Sequence, residues 1–357
     1  MQFWKTPAVL ACVLSLALPT LAAPKARDTG VETRSIDEIY SAALAESKGK
    51  TLQVAWGGDE KSNATALAFM QAFPGIAINL TVDVSKYHDS HTDRAFIETG
   101  KDIYDIAFLQ TLHDFPRWKE QGRLMSYKAK PWESIYNEVK DSEGYYYAGF
   151  FISFGNIVFN SDKRPLNTTI PTTYTDFLLP AWKDKIVLTY PNDDDAIAYL
   201  FALIIEKYGW GWFTSLMAQN VTWVRGSTTP GTMLANPASP VSITFCSFGT
   251  GEENIHTVEP ADRYMSWAQT GAIFASTEMP ETAKLFVSWI MSDEYQTASG
   301  SSTRRELAAE DPFSKQWTEP LGFAKWMGNR QDVEWYKLQF ESLLGTAQGE
   351  SPLEDDL

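Results

Sequence analysis

Apolar residues along the chain fall into two recurring patterns. Short apolar runs bounded by Pro, Gly or Asp read as strands: TLQVAW at 51–56, DIYDIAFLQ at 102–110, KIVLTY at 185–190 and PVSITF at 240–245. Between them, apolar positions recur every three or four residues, which gathers them on one helical face. Ala66, Phe69, Met70 and Phe73 do so after the turn Gly57-Gly58-Asp59. Ala196, Tyr199, Leu200, Leu203 and Ile204 do so in a stretch opened by Pro191 and the aspartates and stopped at Gly209. Ala283, Phe286, Val287 and Ile290 do so behind Pro280. Strands alternating with helices predict an α/β fold whose helices cover largely parallel sheets.

The two ends of the chain have a different character. Lys5 precedes an apolar run from Ala8 to Leu18, and the small residues Ala22 and Ala23 follow, the pattern of a secretory signal peptide over residues 1–22. No later run approaches the roughly 20 apolar residues of a membrane-spanning helix. Residues 23–35 are polar and read as a flexible leader, and 346–357 as an acidic tail. The remaining body is longer than one hydrophobic core commonly covers, so two lobes are expected.

Composition narrows the partners. Lys5 falls within the signal segment, leaving 29 Lys and Arg against 45 Asp and Glu, a net charge near −16 that repels nucleic acid and anionic membranes. Cys12 falls there too. Cys246 is then the lone thiol, no internal disulfide can form, and stability must come from core packing. Four sequons, at Asn63, Asn79, Asn167 and Asn220, fit glycosylation of an exported protein.

Four segments together resemble the extracellular solute-binding proteins that serve bacterial ABC importers, the type 2 periplasmic-binding-protein class. They are the strand, Gly-Gly turn and helix at 52–73; YYYAGFFISFGNIVFNSDK at 145–163; PTTYTDFLLPAWKDKIVLTYP at 171–191; and MPETAKLFVSWIMSDEYQ at 279–296. The nearest branch is the iron, thiamine and polyamine group. Tyr174 stands where that family often has Trp, and Asp184 where it often has Gly. With the signal segment and the sequons, the resemblance implies a secreted eukaryotic, fungal homologue that acts as a monomer. It also implies a two-lobed fold, each lobe a mainly parallel sheet flanked by helices, with a ligand cleft at the hinge. Lobe 1 would comprise residues 36–153 and 250–345, and lobe 2 residues 154–249.

Ligands of α/β lobes bind at the carboxyl ends of strands, where following helices offer free N–H groups. That rule selects the loops 56–59, 109–111, 190–194 and 245–247, and within them Trp56, Gly57, Gly58 and Asp59; Gln110 and Thr111; Asn192 and Asp193; and Phe245 and Cys246 as ligand contacts. The resemblance adds the loop 225–228, with Arg225 and Ser227 as contacts, and Tyr147 before the first hinge crossing. Trp56 would form an apolar wall, the glycines would let backbone approach the ligand, and Asp59 and Arg225 would act from opposite lobes. The competing reading of Asp59 is a cap for the following helix, and for the aspartates after Pro191 ordinary first-turn chemistry.

The iron-binding members generally need two neighbouring tyrosines on the strand returning to the hinge. Thr244-Phe245-Cys246-Ser247-Phe248 offers none. The cluster His88-Asp89-Ser90-His91 reads as a solvated loop, so neither metal nor cofactor is expected. The expectation is capture of a small polar or cationic organic ligand by hinge closure, without catalysis. Two alternatives stand beside it: a thiaminase-like enzyme with Cys246 as a cleft nucleophile, and a secreted interaction protein that has lost its solute. No GxGxxG or Walker sequence supports a nucleotide enzyme.

Overall fold

A computed structural model describes residues 30–59, 61 and 63–354. The expected signal segment, the leader as far as residue 29 and the last three residues of the tail lie outside these residues. The first part of the chain forms α1 (Ile36–Glu46), β1 (Leu52–Gly57), α2 (Ala64–Ala72), β2 (Ile78–Asp83), α3 (Ser85–Thr99), β3 (Ile106–Leu109), α4 (Asp114–Glu120), β4 (Leu124–Met125) and β5 (Tyr147–Phe154). The middle forms β6 (Ile157–Asn160), β7 (Val187–Thr189), α5 (Asp195–Tyr208), α6 (Trp210–Met217), β8 (Thr222–Val224), α7 (Thr229–Ala235), β9 (Ile243–Thr244) and β10 (Ile255–Val258). The last part forms β11 (Met265–Phe274), α8 (Pro280–Ile290), α9 (Asp293–Ser299), α10 (Gly322–Gly328) and α11 (Arg330–Leu344).

The larger sheet runs β2-β1-β3-β11-β4, with β5 also on β11. β2, β1 and β3 are parallel, as the strand-turn-helix pattern predicts. β11 then runs antiparallel to β3, β4 and β5, so the sheet is mixed. All ten residues of β11 are buried, which fits its central place. α1 and α8 cover the sheet; Leu52, Val54 and Ile106 meet Phe286 and Ile290 in the first core. α1 is fixed at its start by a capping box between Ser35 and Glu38.

The second core surrounds α5. Eleven of its fourteen residues are buried, more than the single apolar stripe that periodicity suggested. Phe201 packs against Phe245 with ring centroids 5.4 Å apart and Phe213 at 5.7 Å. The β7-β8 pair and the β10-β6-β9 sheet flank it, joined by a bridge between Ile186 and Ile243.

One expectation needs correction. The resemblance places residues 250–345 as a block in lobe 1, yet Phe323, Met327, Val333 and Phe340 of α10 and α11 pack in the second core. A helix apolar on all sides needs cover on its outer face, and these side chains supply it. Asp195 reinforces the docking through Arg330 and Lys337, each at 2.9 Å. β10 likewise pairs with β6.

The chain crosses between the cores at β5 to β6 and again at β10 to β11. Gly155, at φ +105°, forms the first crossing, and a Cβ there would sit 2.7 Å from Leu200 Cδ1. The Tyr174 hydroxyl donates to the Gly155 carbonyl at 2.8 Å, so this tyrosine ties the second core to the crossing strand. No described helix is long and apolar enough to cross a membrane.

Candidate functional site

A cavity of about 420 Å³ opens between the two cores, at the carboxyl ends of β1, β3 and β7. Its first-core wall is β1 and the alternate residues Phe150, Ile152 and Phe154 of β5, with Trp267 and Gln269 of β11. The two-residue period of a strand turns these three side chains toward the same face. Trp56 packs on Phe150 at 5.7 Å and on Phe108 at 5.3 Å, which holds its indole as a rigid side. Phe248, exposed, meets Phe154 at 5.0 Å at the mouth.

Gly57 is required by space. A Cβ there would overlap Ser85 Oγ and reach 3.2 Å from Gln269 Nε2. Gln269 itself accepts from the Trp267 indole at 2.9 Å and donates to the Phe108 carbonyl at 3.3 Å, bracing the strand ends. Ser85 Oγ accepts from the Gln110 N–H at 3.1 Å.

Three carboxylates meet the cavity, and each is compensated from within the protein. Asp59 accepts from the backbone N–H of Ser227, the backbone N–H of Thr228 at 3.0 Å, and both hydroxyls, Ser227 Oγ at 3.0 Å and Thr228 Oγ1 at 2.9 Å. It therefore spans the two cores instead of capping α2, whose Asn63 cap makes no side-chain cap bond. Asp193 pairs with Lys86 Nζ at 2.8 Å and Arg225 Nε at 2.9 Å. Burial pushes the Asp193 acid up, but Arg225 and Lys86 outweigh it and leave it below the usual carboxylate value. Asp194 caps α5 by accepting from Ala196 N–H at 2.8 Å and Ile197 N–H at 3.1 Å, and accepts from Gln110 Nε2 at 2.9 Å. Burial dominates there and raises its acid.

Lys86, Gln110 and Asp59 all reach from the first core to the second, and Arg225 reaches back to donate to Tyr87 OH at 2.7 Å. The cleft is thus closed by the chain's own polar groups. Among the described residues its wall carries no Lys, Arg, His or Tyr.

Of the residues the sequence singled out, Trp56, Gly57, Gly58, Asp59, Gln110, Asp193 and Ser227 line the cavity. Six do not. Thr111 is buried behind its loop. Tyr147 stands in the first core against Trp132, ring centroids 5.2 Å apart. Asn192 donates to the Gly345 carbonyl at 3.1 Å. Arg225 is spent on Asp193 and Tyr87. Phe245 is fully buried among Tyr174, Phe177 and Phe201.

Cys246 is fully buried as well, and burial pushes its thiol up to about 12. A thiol so placed holds its proton, which removes the chemical basis for a cleft nucleophile. The reading of residues 88–91 as a loop is also corrected: they lie within α3, with His88 buried and its Nδ1 3.2 Å from Tyr104 OH. Sequence reasoning missed Ser85, Phe150, Ile152, Phe154, Phe248, Trp267 and Gln269, while Asp194 and Thr228 lie in loops it selected without being singled out. Alternation in YAGFFISF was a usable signal for the β5 trio. Nothing local marked β11, whose burial on both faces hides the period. All four sequon asparagines are exposed, and Asn63 lies at the cavity rim.

Comparison with known proteins bears on the same region. No curated protein sequence matches the chain. Among solved structures it is similar to iron-bound HitA from Pseudomonas aeruginosa, at 18% identity over 81% of this chain and 99% of that chain, with a TM-score of 0.61. It is similar to the substrate-binding protein of an ABC transporter from Agrobacterium tumefaciens, at 15% identity over 82% and 94%, with a TM-score of 0.69. It is also similar to AfuA from Actinobacillus pleuropneumoniae, bound to exogenous fructose-6-phosphate, at 18% identity over 83% and 99%, with a TM-score of 0.60. At such identities the likeness shows the two-lobed α/β fold. Residues 102–328, most of the second core and the centre of the first sheet, match the model of the bacterial extracellular solute-binding proteins, and the chain belongs to that family.

Proposed function

We propose that this protein is a secreted, glycosylated, monomeric solute-binding protein that captures a small neutral or cationic organic molecule in the cleft between its cores and is not an enzyme. The observation that carries the reading is the wall of the cavity. Aromatic faces at Trp56, Phe150, Phe154 and Trp267 stand beside three aspartates, with no basic side chain among the described lining residues. An anion would find no counter-charge among the described lining residues, whereas a cation gains from the ring faces and leaves the aspartates' own pairings intact. A bare ferric ion would find no tyrosine or histidine on that wall. This sets the chain apart in ligand class from the iron- and sugar-phosphate-bound proteins whose fold it resembles.

The moving parts follow the packing. The first lobe takes residues 36–153 and the chain from β11 through α9; the second takes 154–258 and the helices α10 and α11. The lobes close by Asp59, Lys86 and Gln110 meeting their partners, and a ligand that touches both lobes deepens the closed state by its differential contacts. A thermal-shift screen with organic amines, aromatic cations, neutral sugars, phosphate esters and ferric chelates tests the ligand class. Stabilisation by cationic or neutral organics, lost in Trp56→Ala and Phe150→Ala, is the expected result. Stabilisation confined to phosphate esters or ferric chelates would overturn it.

A further inference from the structure

Outside the cleft wall, Asp89 of α3 meets His113 and Asp114, which follow the β3 loop; the ligating atoms of the three residues all lie within 4.8 Å of one another. Asp114 is 2% exposed, with Oδ1 taken by Arg117 and Oδ2 buried without a hydrogen-bond partner. His113 Nδ1 is buried and likewise without a partner. Ionised carboxylate oxygens only accept, so the facing carboxylates of Asp89 and Asp114 do not satisfy each other, and a neutral imidazole beside them offers one acceptor nitrogen. Their convergence, with Asp114 buried and Asp89 and His113 half-buried, leaves a place for one positive centre.

From this geometry we infer that Asp89, His113 and Asp114 form a binding site for a divalent transition-metal ion of the Zn²⁺ class, separate from the solute cleft. One nitrogen and two carboxylate oxygens suit Zn²⁺ or Mn²⁺, whereas Ca²⁺ takes six to eight oxygens. Arg117 is shared between Asp114 and Asp93, so the charge of a dication is met by the two carboxylates of the site. Three protein ligands leave a further position for water. The site is also placed to matter mechanically. It immediately follows Gln110 on the loop whose side chain crosses to Asp194, so an ion bound there would stiffen one of the contacts that close the cleft.

Co²⁺ is the probe, added to the full secreted chain after treatment with a chelator and read by its visible absorption. One equivalent bound, displaced by Zn²⁺, and weakened roughly tenfold or more in both Asp89→Asn and His113→Gln is the expected result. Asp89→Asn carries its own control for folding. Its amide can donate to Asp114 Oδ2, so the variant should melt no lower than wild type in chelator while losing the Zn²⁺-dependent rise in melting temperature. Absence of saturable Co²⁺ binding by the wild type, or equal binding by both variants, would overturn the site. Neither result depends on the identity of the cleft ligand.

Discussion

Replacing Asp59 with Ala tests whether the protein's own groups hold the cleft shut. Its carboxylate receives four donors from Ser227 and Thr228, two of them backbone N–H groups, and it is only 8% exposed. Hydrogen bonds to a charged group net about 1.5–3 kcal/mol each, but such values do not add within one cluster. The donors also regain water when the lobes part, so the cost falls on the closed state alone. A net loss of about 2–3 kcal/mol moves the open–closed ratio roughly 30- to 150-fold toward open. Small-angle scattering of the ligand-free protein should report a larger radius of gyration for Asp59→Ala, with faster amide exchange at 227 and 228. The melting temperature should move little, because Asp59 belongs to neither core. A scattering curve and exchange pattern identical to wild type would refute the latch.

Acid should loosen the neighbouring contact. Asp193 is held below the usual carboxylate value, so its contribution to stability is complete above about pH 4 and is lost as the pH falls through the folded-state value. Asp193→Asn should therefore unfold at lower urea than wild type at pH 6, with the two midpoints drawing together as the pH falls below the usual carboxylate value; parallel curves would count against the pairing. Cys246, buried with its thiol pushed up to about 12, should resist thiol reagents in the native protein at pH 8 and react once unfolded in guanidinium, as read by peptide mass; native labelling would reopen the nucleophile reading. Peptide mass before and after glycosidase treatment should reveal glycans on the exposed Asn167 and Asn220, and unmodified asparagines there would argue against secretion through a glycosylating route.

The first sheet was readable because its strands announce themselves locally. TLQVAW and DIYDIAFLQ are short apolar runs closed by polar turns, and they became β1 and β3, parallel partners with Val54 opposite Ile106. β11 was not readable in the same way. MSWAQTGAIF holds Ser, Gln and Thr inside a fully buried strand, where Gln269 is satisfied by distant Phe108 as well as by its neighbour Trp267, Ser266 by distant Thr318, and Thr270 by the Ala268 carbonyl. Local polarity argued against a strand that tertiary hydrogen bonding made central. The placement of α10 and α11 failed for a related reason. What decides it is the outer face of α5, more than a hundred residues earlier, and no periodicity within 322–344 names its partner.

The site divides along the same line. The turn Trp56 to Asp59 was legible because a Gly-Gly pair between strand and helix signals close approach, and Gly57 does lie where no Cβ fits. The role of Asp59 was not legible, since its partners Ser227 and Thr228 lie some 168 residues away. Arg225 shows the opposite error. A lone arginine beside a predicted cleft suggests a ligand contact, but a charge in a closed cleft first satisfies the nearest opposite charge, and Asp193 lies 2.9 Å away. The same physics shapes what the cleft can bind. Arg225 and Lys86 are both committed to Asp193, and the described residues of the cavity wall include no basic side chain to meet an anionic solute. What remains accessible is the aromatic wall and carboxylates already in balance, so an anion could enter only by breaking ion pairs that hold the lobes together. An organic cation or neutral molecule keeps those pairs and adds its own contacts. For that reason its binding and the closure of the cleft reinforce each other, while an anion's would compete.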